Sequence, residues 1–76
     1  MPKIEVIYAF ISIDKGPEDE GIVAALMGDK WMPLVGADMD RVESLRPLAM
    51  EVSRATGKRI VLAKFMARED LGELKP

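Results

Sequence analysis

From Ile4 to Ile13 the chain reads Ile-Glu-Val-Ile-Tyr-Ala-Phe-Ile-Ser-Ile. Alternation along a strand sends these apolar side chains to both faces. One face carries Ile4, Val6, Tyr8, Phe10 and Ser12; the other carries Glu5, Ile7, Ala9, Ile11 and Ile13. A strand of this kind needs a cover on each side. The pattern predicts it over residues 3–14, closed by a loop through residue 21 in which Gly16, Pro17 and clustered carboxylates mark a turn. Residues 21–27 alternate again, Ile22, Ala24 and Leu26 against Val23, Ala25 and Met27, and form the second arm of an antiparallel hairpin. Gly28-Asp29-Lys30 supplies the next tight turn. Residues 31–35 make a short third strand, placed at a sheet edge because Pro33 lacks a ladder donor.

The period then changes. Val42, Leu45, Ala49, Val52 and Thr56 recur at helical spacing, with Leu48 and Ala55 alongside, and predict a helix over residues 40–56 that lays one stripe on the sheet. Asp38 or Asp40 is the N-cap, the latter with Glu43 three residues on as an approximate capping box. Pro47 falls on the solvent stripe, where water replaces a lost hydrogen bond. Gly57 ends the helix. Residues 59–67 return as a fourth strand, and residues 68–74 read as a short C-terminal helical turn carrying Leu71 and Leu74.

The expected fold class is α+β: one domain over residues 1–76, in the order β-β-β-α-β. A right-handed crossover through the helix to a parallel fourth strand predicts a four-stranded mixed sheet of order 3-2-1-4. The first strand is then central, and the single helix covers one face only.

Composition narrows the functional classes. Seventy-six residues with 49% hydrophobic and 32% charged positions describe a small, ordered, soluble domain with a thin core. Cysteine is absent, which removes disulfides, thiolate metal sites and cysteine nucleophiles. Histidine is absent too, and with it the commonest general base near neutral pH and the commonest transition-metal ligand. The expectation is therefore a protein that is not an enzyme and carries no cofactor or metal. No apolar run is long enough to cross a membrane, and the beginning of the chain shows no leader pattern, so a cytoplasmic location is expected. A net charge of −2 argues against a nucleic-acid partner.

Three local patterns invite a chemical reading and fail it. Tyr8-Ala9-Phe10 echoes the alternating aromatics of an RNA-recognition strand, yet Val6 and Ile7 stand where a basic residue and glycine belong. Asp14 with Glu18-Asp19-Glu20 is acidic enough for calcium, but Gly16 and Pro17 break the alternate-ligand spacing of a calcium loop. Thr56-Gly57-Lys58 closes a helix instead of opening one, so the dipole there has the wrong sign for phosphate.

The β-β-β-α-β order resembles that of HicB-type antitoxins, which neutralise a small toxin through such a domain. The resemblance is one of order: Met32-Pro33-Leu34-Val35-Gly36-Ala37-Asp38 faintly echoes their glycine-rich, proline-containing segment before the helix, and no separate DNA-binding element follows.

The second face of the first strand thus becomes the candidate site. The expected function is a small non-catalytic interaction module, a homodimer that acts by protein–protein binding as a regulator or inhibitor. Its contact residues are Glu5, Ile7, Ile11 and Ile13, with Trp31 and Met32 as further anchors. The six methionines supply the adaptable apolar surface common in such interfaces. The alternative is a small-ligand or nucleotide-binding protein whose inter-subunit pocket uses Tyr8, Trp31, Arg59 and Lys64.

Overall fold

The computed structural model describes residues 3–16 and 18–76; Pro17 of the expected loop lies outside them. The fold is α+β, with one helix and antiparallel strands throughout. In chain order the elements are β1 (Ile7–Ile13), β2 (Glu20–Ile22), β3 (Ala24–Met27), β4 (Lys30–Pro33), β5 (Val35–Gly36), α1 (Met39–Thr56) and β6 (Arg59–Phe65).

β1 is the central strand. It pairs along its whole length with β6 on one edge, from Ile7 opposite Phe65 to Ile13 opposite Arg59. Its other edge is shared by two short strands, β2 opposite residues 11–13 and β5 opposite residues 8–9. β2 and β5 both run antiparallel to β1, so they act as two pieces of one broken strand. Between them the chain leaves the sheet as a separate β3–β4 hairpin.

That excursion overturns the expected 3-2-1-4 order. The second strand does not continue straight past Val23, and the third does not lie outside it. β5 reaches β1 directly, and β6 lies antiparallel to β1, not parallel. The reason lies at the point where the hairpin departs. Val23 N–H donates to the Phe10 carbonyl at 2.9 Å, Phe10 N–H donates to the Leu34 carbonyl at 3.1 Å, and Leu34 N–H donates to the Val23 carbonyl at 2.8 Å. All three residues are buried. The closed triangle satisfies backbone groups that a bend would otherwise strand away from water, and hydrophobic alternation carries no trace of it. At the hairpin tip Gly28 has φ of 68°, the positive value needed at the first of two loop residues in a tight turn.

The helix packs on one face of this sheet. Val42, Leu45 and Ala49 are buried against Phe10, Val23, Ala25 and Leu34, with Leu48, Val52, Ile60 and Leu62 around them. Asp38 is the N-cap, its carboxylate accepting the Arg41 N–H at 2.8 Å. The alternative box built on Asp40 is not formed, because Glu43 instead accepts from the Arg46 guanidinium at 2.9 Å. At the other end Gly57 has φ of 72° and donates to the Ser53 carbonyl at 2.8 Å.

Both chain ends depart from expectation. Residues 3–6 are not part of β1, so Glu5 lies outside the strand. Residues 68–74 form no helical turn. Arg68 instead reaches back to the Ile4 carbonyl at 3.0 Å, and the remaining tail leaves Leu71 90% and Leu74 98% exposed. With nothing to pack against, two leucines three residues apart cannot stabilise a single isolated turn.

Candidate functional site

Pairing register fixes which side chains share the face away from α1. Directly opposed residues point to the same side, so Ile22 and Val61 flank Ile11, Val35 and Ala63 flank Ala9, and Phe65 sits beside Ile7. None of these belongs to the helix-side cluster. Ile7, Ile22, Val61 and Phe65 are all exposed, Ile22 at 59% and Phe65 at 50%. Between them Ala9 and Ile11 are buried by their own neighbours, Ile11 to 6%. The result is an apolar sheet face that none of the described residues covers. Contiguous exposed apolar surface of this kind marks an association site more often than ordinary surface does.

The face extends onto the hairpin. Val23 and Ala25 turn inward and are buried in the core, which leaves Ala24 and Leu26 outward on β3, opposite Pro33 and Trp31. Trp31, the only tryptophan, is 69% exposed. At the far end of β1, Ile13 is flanked on one side by Glu20 and on the other by Arg59. At this end the face therefore carries one acid and one base, on opposite sides of its central strand; at the other end Glu5, Arg68 and Glu69 line a cavity with Ile7 and Phe65.

The free edge of β6 adds a second feature. Phe10 directs its N–H and carbonyl toward Leu34 and Val23, so Tyr8 and Ser12 face that same edge and the odd-numbered residues of β1 face β6. Their partners Arg59, Val61, Ala63 and Phe65 point back. Ile60, Leu62 and Lys64 must then present their backbone groups outward, and among the described residues no backbone group of the chain meets them.

Several residues singled out from the sequence share the open face, and others do not. Ile7 and Ile13 are on it, the second half-buried, and Ile11 is on it but already covered. Glu5 is exposed in the segment before β1, near Met66 and Arg68. Trp31 and Met32 are consecutive in β4, so only Trp31 is on the outward side with Leu26. Ile22, Val61, Phe65 and Leu26 were missed as face residues. Their alternation was visible, but the register that brings them beside Ile7 and Ile11 was not.

Within a single chain the four residues of the expected inter-subunit pocket lie apart. Tyr8 and Lys64 face each other across β1 and β6 on the helix side, where Tyr8 packs against the core. Arg59 lies on the opposite face, five residues along β6 from Lys64, roughly 17 Å away at strand spacing. Trp31 is on the outer side of the hairpin. Among the described residues no cluster of three or more carboxylate side chains is arranged to hold a metal ion. On α1, remote from the face, a side-chain hydrogen bond from the Arg46 guanidinium lowers the Glu43 carboxyl below its ordinary value.

The helix is not long and apolar enough to cross a membrane. Comparison with known protein families, with curated proteins and with solved structures finds no match to this chain.

Proposed function

We propose that this chain is a non-catalytic interaction module that acts by protein–protein binding and self-associates as a homodimer. One observation carries the reading: Ile7, Ile22, Val61 and Phe65 stand exposed side by side on the sheet face that α1 leaves bare. Burying such side chains gains roughly 1.5–3 kcal/mol each. In a domain this small, that gain is comparable to a sizeable part of the whole folding stability. The protein's lack of histidine and cysteine favours binding over catalysis.

A second copy is the occupant the face suits best. At its Ile13 end the face carries one acid and one base, so that end of two identical faces has no net charge to repel. Light scattering on a sizing column tests this directly. At tens of micromolar the expected mass is about twice the 8.4 kDa of the chain, and Val61→Glu reduces it to one chain. A monomeric wild-type protein with an unshifted Val61→Glu profile overturns the homodimer.

A further inference from the structure

The charges at the rim of the open face also carry information about how two copies sit on each other. We infer that the homodimer has its twofold axis running between the sheets along β1, so that Glu20 of each copy lies over Arg59 of the other. The inference rests on the homodimer proposed above and goes further by fixing its geometry.

Glu20 and Arg59 flank the same residue, Ile13, on the two neighbouring strands. Rotation by 180° about an axis along β1 brings the second sheet face-to-face and exchanges left with right. Each strand β2 then lies over the partner's β6, and the Glu20–Arg59 contact forms twice by symmetry, as an isologous interface requires. The same operation sets Ile22 of each copy over Val61 of the other, the two bulkiest exposed side chains beside Ile11. A twofold axis across the strands reverses them, sets Glu20 and Arg59 over the other copy's Ile7 and Phe65, beside which Glu5, Arg68 and Glu69 lie, and forms neither the Glu20–Arg59 pair nor the Ile22–Val61 contact. An axis along β1 forms both.

The remaining features fall into place under this operation. The β3–β4 hairpin leaves from the β2/β5 edge, so in the dimer it projects beyond the partner's β6. Its outward residues Leu26 and Trp31 continue the open face. They come to lie beside the edge where Ile60, Leu62 and Lys64 present unpaired backbone groups, and an unpaired edge is a site that proteins commonly shield. The hairpin also adds its own outward surface to the contact.

A charge swap tests the axis. Glu20→Arg or Arg59→Glu alone creates two like-charge contacts and weakens the dimer roughly tenfold or more, while the double variant restores it. Both residues are exposed, so folding is unaffected, which circular dichroism verifies. Trp31 gives an independent readout: its emission shifts to the blue as concentration carries the protein from monomer to dimer. If the single reversals leave the dissociation constant unchanged while Val61→Glu abolishes the dimer, the axis is wrong and the homodimer stands. A dimer whose Trp31 emission does not move removes the hairpin contact. A wild-type monomer removes both the axis and the reading beneath it.

Discussion

Leu26 and Trp31 oppose each other across β3 and β4 on the outward side of the hairpin, and both are more than half exposed. On the inward side Ala25, partner of Met32, is buried in the core. The hairpin is therefore held by its base and its inner face. Its most hydrophobic pair is spent on solvent in the isolated chain.

That division predicts a separation of effects for Trp31→Ala. A cross-strand aromatic pair contributes roughly 0.2–1 kcal/mol, so urea unfolding at sub-micromolar protein should show a loss within that range. Association should suffer more, because an exposed aromatic anchor that becomes buried commonly costs about 2 kcal/mol or more when truncated. Sedimentation at several concentrations measures the second effect. Equal losses in both measurements would place Trp31 in the fold alone.

Gly36 is where β5 passes closest to the helix. A Cβ added there would lie 3.0 Å from Arg41 Cγ and 3.1 Å from Val42 Cγ2. The Arg41 side chain is exposed and free to move, whereas Val42 is buried and stiff at χ1. Gly36→Ala should therefore destabilise by about 1–3 kcal/mol, the usual cost of overpacking. Combined with Val42→Ala, the loss should fall short of the sum of the two singles, since the second change removes the clash created by the first. Additive losses would rule out the close approach.

Much of the architecture was legible without coordinates. The change from a period of two to one of 3.6 located α1 to within a residue, because helix caps, charges and the Val42-Leu45-Ala49 stripe all agree. The two-faced apolarity of β1 marked it as the central strand for a similar reason: every position had to be covered by something. What alternation could not reveal was the break at Val23 and Leu34. Those residues continue the apolar pattern on either side of them, and only the three backbone bonds with Phe10 show that the chain turns out of the sheet. Once the hairpin leaves, β5 replaces β3 beside β1, and the expected sheet order fails with it. The same limit applied to the open face. Ile7, Ile11 and Ile13 could be assigned to it from β1 alone, but Ile22, Val61 and Phe65 required cross-strand register, a non-local quantity.

Acid should act on the helix through Glu43. The Arg46 guanidinium, bonded to its carboxylate at 2.9 and 3.0 Å, holds the Glu43 pKa below the ordinary value. A carboxyl whose pKa is lower folded than unfolded contributes stability above its unfolded pKa and loses it as pH falls through the folded one. The contribution is therefore fully present above the ordinary glutamate range and is lost as pH falls through the lowered folded-state value. Both groups are solvent-exposed, so salt weakens it as well. Arg46→Ala should raise the Glu43 pKa toward that of a free glutamate. A carboxyl NMR titration reads this directly, and an unchanged value would show that the pair does not persist in solution.

Residues 71–76 give the sharpest check on what covers the sheet. Leu71 and Leu74 were the only apolar residues of the tail available to shield the second face, and the structure leaves both almost fully exposed. The last residue with a defined tertiary role is Arg68, bonded to the Ile4 carbonyl and to Asp70 at 2.6 Å. Ending the chain after Asp70 should therefore change unfolding stability by no more than about 0.5 kcal/mol, as for surface changes without buried contacts. It should leave the dimer unaltered and the binding of a hydrophobic dye no stronger than before. A tail that folds back over Ile7, Val61 and Phe65 predicts the opposite: lower stability, more dye bound, and a stronger dimer once the face is uncovered. The two cases differ in sign for the dimer, so one truncation separates a face open to a partner from a face closed by its own chain.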